Sequence, residues 1–301
     1  MTTRAIDEHA DRLRAERVPF VVARVVLAER PTSAKPGDSA LVLADGTIEG
    51  FVGGQCAVST LRTQGLEILR SGTARLLRIA PNPEPEQPGK TIVHNPCQSG
   101  GTLEIFMEPV LPAPLVRVVG QSPIARALES VGASLGYAVE AWGANDADDL
   151  ATVDAVVIAS HGEGEEDVLA RALEAHVPYV GLIASPKRGT AVVGSLGRSD
   201  IEKIHTPAGL DIGARTPEEV ALSVFAEIIA ERSKEQPAEP GCCGGSNQRV
   251  EASTAIDPVC KMTVAAVEAS IHADVDGDRY YFCCPGCKDA FVADPSAFLA
   301  S

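Results

Sequence analysis

Aromatic side chains are scarce in this chain, 4% of 301 residues with a single tryptophan. Its cores must therefore be assembled mainly from Ala, Val, Leu and Ile. No apolar run approaches the roughly 18 residues that a membrane span requires, so no helical span is expected. Basic charge is also short: 26 Lys and Arg stand against 41 Asp and Glu, a formal net charge of −15. No local basic patch offsets it, and such a surface repels phosphate backbones, which argues against a nucleic-acid partner. The opening residues, MTTRAIDEHADRLRAER, are charged throughout and lack the apolar stretch of a secretory signal, so a cytoplasmic protein is expected. No internal repeat is found.

At 45% hydrophobic residues the chain is a folded globular protein with room for two or three domains. Apolar residues at Ile6, Ala10, Leu13 and Val18 predict an opening helix. PFVVARVVLAER and SALVLADGTIEGFVGG read as strands turned at Asp45-Gly46, a helix begins near Ser59 in STLRTQGLEILRSG, and ARLLRIAP and GTLEIFMEPVL are further strands. These make an α+β domain over 1–112. From 113 to 236 strands and helices alternate, ending in TPEEVALSVFAEIIAERS with Thr216 as cap and Pro217 in the first turn; this pattern implies a Rossmann-like, doubly wound parallel sheet. Residues 237–252, rich in Pro, Gly and Ser, read as a flexible linker, and 253–301 as a separate small unit. The fold class is α/β.

Eight cysteines in a reducing compartment are poor candidates for structural disulfides and read better as ligands, nucleophiles or core thiols. DPVCKM and YYFCCPGCKDAF set Cys260, Cys283 and Cys287 at a spacing that suits a soft or borderline ion, Zn²⁺ or Cu(I). Cys284 offers a competing pairing with Cys287, and His272 a possible extra ligand. The alternative is a mini-core of buried thiols with Tyr280, Tyr281, Phe282, Phe291 and Phe298. Two further cysteines lie beside glycines: Cys56 after Gly53, Gly54 and Gln55, and Cys97 ahead of Gly100 and Gly101. Glycines next to a helix start let an anionic ligand reach backbone N–H groups, and the helix dipole there lowers a thiol's pKa. Cys242-Cys243 sit in the linker, as a relay pair or as a chance pair.

VVGQSPIARAL resembles a dinucleotide fingerprint, but Ser122 replaces the second glycine after Gly120, and Trp142-Gly143 stand where a ribose-binding acid belongs. NAD or FAD is therefore a doubtful cofactor. Ser160 and His161 end one strand, with Asp167 in the helix that follows; Ser185, Lys187 and Arg188 end the next. In open α/β sheets ligands bind outside these carboxyl ends, and His, Lys and Arg there could cradle a phosphorylated ligand.

From about residue 18 to 232 the chain resembles the XdhC/CoxI family of accessory factors. GGQCAVS, PCQSGGTLEIFMEP, SHGEGEEDVLARAL, YVGLIASPKRG and above all AGLDIGARTPEEVALSVFAEII carry the resemblance. The last 50 or so residues resemble YHS (TRASH-like) metal-binding domains through DPVCKMTV, YYFCCPGCKDAF and DPSAFL. The first resemblance implies a maturation factor for a molybdenum hydroxylase of xanthine dehydrogenase or CO dehydrogenase type. Such a factor binds the molybdenum cofactor (molybdopterin), assists its sulfuration or insertion, and partners the apo-hydroxylase, with a cysteine desulfurase or a second copy as further possible partners. Cys56 and Cys97 match the family's paired glycine-rich motifs, though Gln55 and Gln98-Ser99 interrupt them here. His161, Asp167, Lys187 and Arg188 match its second-domain motifs. The YHS resemblance implies a treble-clef-like knuckle with Cys260, Cys283 and Cys287 as ligands.

Overall fold

The computed structural model describes residues 3–95, 101–143, 150–160, 162, 164–235 and 253–299. Its contacts form two compact units, one joining residues 1–112 with 247–301 and the other comprising 113–246.

In the first unit α1 (Thr3–Ala15) precedes β1 (Phe20–Glu29), β2 (Ser39–Leu43) and β3 (Ile48–Gly50). Helix α2 (Gln55–Ser71), β4 (Arg75–Ala80), β5 (Lys90–His94) and β6 (Thr102–Val110) follow, and the strands make one sheet in the order β3-β2-β1-β6-β4-β5. Strand alternation sorts β1 between two cores. Phe20 packs with Ile6, Ala10 and Leu13 of α1, whereas Val21, Ala23 and Val25 pack with Ala57, Leu61, Ile68 and Leu69 of α2. The opening helix stops at Ala15 rather than Val18, because Arg17 takes a left-handed conformation and returns the chain toward β1. Helix α2 starts four residues earlier than its periodicity suggests. Gly54, extended at the N-cap, lets its carbonyl accept from Val58, so Gln55 and Cys56 fall inside the first turn. Edge strand β5, parallel to β4, shows no apolar alternation and carries no sequence signal.

The second unit contains β7 (Leu115–Val119), α3 (Pro123–Ser134), β8 (Ala138–Ala141), β9 (Ala155–Ile158), α4 (Glu165–Glu174) and β10 (Tyr179–Leu182). It continues with α5 (Pro186–Ser195), the short β11 (Ile204–His205) and α6 (Pro217–Glu235). All strands are parallel, in the order β11-β10-β9-β7-β8. Helices α3 and α6 cover one face through Leu128, Val224 and Phe225; α4 and α5 cover the other through Val168, Leu169 and Val193. This doubly wound sheet is the α/β architecture expected from the alternating pattern. Thr216 and Glu219 close α6 as a reciprocal capping box, the hydroxyl accepting from the Glu219 N–H at 3.3 Å and the carboxylate from the Thr216 N–H at 3.0 Å. Helix α5, which the sequence reading did not foresee after the strand end at Ser185, is capped by Ser185 and opened by Pro186, despite two glycines in its ten residues.

Residues 253–299 fold as two antiparallel hairpins followed by α7 (Pro285–Ala293) and α8 (Ser296–Leu299). The hairpins are β12 (Thr254–Ile256) with β13 (Thr263–Ala265), and β14 (Ile271–Val275) with β15 (Asp278–Phe282). Asp276-Gly277 turns the second with both residues at positive φ, as a tight two-residue hairpin needs. Phe282 and Phe291 are fully buried and pack against one another, with Tyr280 and Phe298 beside Phe291. This segment is not isolated: β13 lies along α2, and Val267 lies against the Gly46 turn.

Gly120 ends β7 at φ +114°, and a Cβ there would sit 2.6 Å from the Ala159 carbonyl oxygen at the end of β9. Gly120→Ala should therefore destabilise the second unit by about 2 kcal/mol or more, measured as a lowered unfolding midpoint in urea. An unchanged midpoint would mean that the turn relaxes freely.

Candidate functional site

Two local turns bring the C-terminal thiols together. The DPVCKM turn joins β12 to β13, and YFCCPGC leaves β15 and enters α7. Asp257 ties them. Its fully buried carboxylate accepts from the N–H groups of Val259 at 2.9 Å and Cys260 at 3.3 Å through Oδ1, and from the N–H of Cys283 at 2.8 Å through Oδ2. Burial alone would raise this carboxyl's pKa; the N–H groups of Cys283 and Val259 hold it below the usual range. Asp257 thus organises the site through three amides. The sequence signal was the Asp-Pro pair, whose side chain closes a turn on its own i+2 amide.

The Sγ of Cys283 lies 3.5 Å from that of Cys260 and 3.7 Å from that of Cys287. The contact between the Cys283 and Cys260 sulfurs lowers the Cys260 pKa against its burial, while the same contact and a second one with Cys56 push Cys283 upward. Cys287 is pushed up by burial and by the nearby Asp257 charge. None of these sulfurs is joined in a disulfide. Their spacing fits a shared ion, since metal–sulfur bonds of about 2.3 Å place tetrahedral ligands about 3.8 Å apart. Thiols packed this closely lose their protons to solvent most easily when a thiophilic cation binds in their place. The aromatic cluster fills the other side of the same small fold, so thiol cluster and mini-core coexist. His272 stands outside the group: its Nδ1 bonds the Ser270 carbonyl at 2.8 Å, and its Nε2 faces Glu268.

Cys56 joins from the other end of the chain. It is only 9% exposed and packs with Met262, Val264 and Cys283. The sulfurs of Cys56, Cys283 and Cys284 lie within 4.8 Å of one another. Gly53 is buried at φ +130°, where a Cβ would press on Leu103, while Gly54 and Gln55 are exposed on the same turn. Gly101 packs its backbone against the Pro31 carbonyl. Cys97, Gly100, Cys242 and Cys243 lie outside the described residues.

In the second unit the predicted residues take specific structural duties. Gly120 serves the close approach of the β7 and β9 ends. Ser122 caps α3, accepting from the Ala125 N–H at 3.1 Å, and Ser185 likewise caps α5. Trp142, the first residue past β8, is buried in the core with Arg171 stacked 4.6 Å over its ring, so the position expected of a ribose-binding acid holds a core side chain. Sequence reasoning missed Glu165, whose carboxylate is 1% exposed and accepts from Ser160 Oγ at 2.8 Å, the Gly162 N–H at 3.2 Å and the Arg188 guanidinium. Only burial separates it from the exposed Glu166 and Asp167 beside it. Glu165 also raises the Arg188 pKa and neutralises its charge locally, which leaves exposed Lys187 as the cation at the end of β10. His161 lies outside the described residues.

The family model described as the XdhC Rossmann domain matches residues 116–228, that of the XdhC and CoxI family matches 13–80, and that of the YHS domain matches 255–301. The chain belongs to the XdhC/CoxI family and carries a C-terminal YHS domain. The uncharacterized protein YqeB of Escherichia coli K12 is 27% identical across 73% of this chain and 45% of its own length. A protein of Bacillus subtilis 168 described as a probable xanthine dehydrogenase component is 34% identical across 27% of this chain and 24% of its own length. The chain thus spans less than half the length of either curated relative. A crystal structure described as a xanthine dehydrogenase from Bacillus halodurans is 18% identical, covers 77% of this chain and 97% of that one, and has a TM-score of 0.37, too low to carry an argument. No helix among the described residues is long and apolar enough to cross a membrane.

Two substitutions check these assignments. Asp257→Ala leaves buried amide donors without an acceptor and should lower the stability of the YHS domain by about 3 kcal/mol, visible as early loss of Tyr280 and Tyr281 fluorescence on heating. Glu165→Ala should destabilise the Rossmann-like unit by about 2 kcal/mol, discounted for the partial exposure of Arg188, whereas Lys187→Ala should stay within about 0.5 kcal/mol. Equal effects would remove Glu165 from its anchoring role.

Proposed function

We propose that this XdhC/CoxI protein is a maturation factor for a molybdenum hydroxylase, binding the molybdenum cofactor and assisting its sulfuration or insertion, while the YHS thiols hold a soft metal ion. The observation that carries the reading is the meeting of Cys56, on the family's own glycine-rich motif, with the YHS thiols. It gives a reason for the two modules to share one chain. Family membership across both larger domains and the name of the Bacillus subtilis relative support a xanthine dehydrogenase-type client.

The residues suit thiophilic chemistry. Cys56 sits in the first turn of a 17-residue helix whose dipole favours a thiolate. When bound, the cofactor would supply a metal that accepts sulfur; this chain's part is to offer a positioned thiol and to shield it. Anion affinity at the β10 end rests on Lys187 and the first amides of α5, because Arg188 is committed to Glu165. Cys97 and His161 remain candidate contacts from the family resemblance. A nicotinamide or flavin reading has less support, since Ser122 is spent as a cap and Trp142 occupies the place of the ribose acid.

Protein purified anaerobically from a host that makes molybdopterin tests this. Molybdenum and pterin should accompany the chain in equal amounts, and Cys56→Ser should lower that content about tenfold or more. A chain that emerges from such a host without molybdenum or pterin would sink the proposal.

A further inference from the structure

The two thiol groups share one atom. Cys283 Sγ belongs to the set with Cys260 and Cys287 and also to the set with Cys56 and Cys284. Cys56 is supplied by the first turn of α2, and Cys284 is the N-cap of α7, so two helices direct their N-terminal ends at one sulfur cluster. Met262 and Val264 line it with apolar surface, 8% and 1% exposed.

We propose that Cys56, Cys283 and Cys284 form a second soft-cation position, in which the XdhC/CoxI domain contributes a ligand to an ion carried by the YHS domain. Three thiolates, with no fourth ligand in that set among the described residues, suit Cu(I) better than Zn²⁺, which takes four ligands in structural sites. The bonds balance without redox change. Each thiol that binds gives its proton to solvent, and an ion leaving Cys260 and Cys287 for Cys56 and Cys284 exchanges two metal–sulfur bonds for two others while keeping its bond to Cys283. An ion so placed occupies the thiol that the family motif offers to its own cargo, so the metal state of the YHS domain would govern access to Cys56. Ion binding by the isolated chain stands or falls separately from the identity of a client.

The test uses the full chain with Cys97, Cys242 and Cys243 changed to Ser, which leaves only the five clustered thiols. Cu(I) is titrated anaerobically against a chelating competitor. With Cys260→Ser and Cys287→Ser added, the chain should still bind one Cu(I), and a further Cys56→Ser or Cys284→Ser should weaken that binding about tenfold or more. Binding that ignores Cys56→Ser, or that vanishes once Cys260 and Cys287 are gone, overturns the proposal. A second measurement needs no variant: alkylation of Cys56 in the unaltered chain, read by peptide mass spectrometry, should slow by an order of magnitude when Cu(I) is added. Equal rates with and without copper overturn it as well.

Discussion

Three sulfur atoms set 3.5 and 3.7 Å apart, one buried and two half-buried, cannot all carry negative charge unless a cation sits among them. That constraint organises the first unit. It fits the opposite directions in which the contact between Cys260 and Cys283 moves their pKa values, down for Cys260 and up for Cys283. It also explains the need for Asp257, whose carboxylate holds both thiol-bearing turns through backbone amides. The apolar mini-core of Phe282 and Phe291 supports the same turns from the other side. A domain this small cannot bury enough hydrocarbon to be secure alone, so packing on α2 and a bound ion are complementary ways to stabilise it.

Helix α2 is where the two modules become one unit. Its inner face, through Ala57, Leu61, Ile68 and Leu69, fills the sheet core, while its first turn presents Cys56 to Met262, Val264 and Cys283. One element therefore transmits the position of the six-stranded sheet to the thiol cluster. Val267 against the Gly46 turn adds a second contact on the same side.

The Rossmann-like unit shows how a motif can be retained for structural work. With strand order 2-1-3-4-5 counted within this sheet, the topological switch point lies between the ends of β7 and β9. There the Gly120 turn rests directly on the Ala159 backbone, and Ser122 satisfies the α3 N-terminus. At the adjacent strand ends Glu165 joins Ser160 to Arg188 beneath the surface. The side chains that a phosphate would recruit are largely engaged with one another, and Lys187 is the exposed cation.

Much of the fold was legible because it is written locally. Helical periodicity, the Thr216 cap and the Asp45-Gly46 turn each involve residues within a few positions, where backbone preference decides the outcome. Strand β5 and helix α5 escaped notice for the same reason: one lacks alternation, and the other carries glycines and β-branched residues that mask a helix. Spacing alone also placed Cys260, Cys283 and Cys287 together, since two turns of one small domain must meet. The amino-acid order could not reveal that Cys56 meets Cys283, nor that Glu165 rather than Asp167 is the buried acid. Those pairings join elements distant along the chain, and only the packing of whole faces, where each buried polar group must find a partner, determines which residues come into contact.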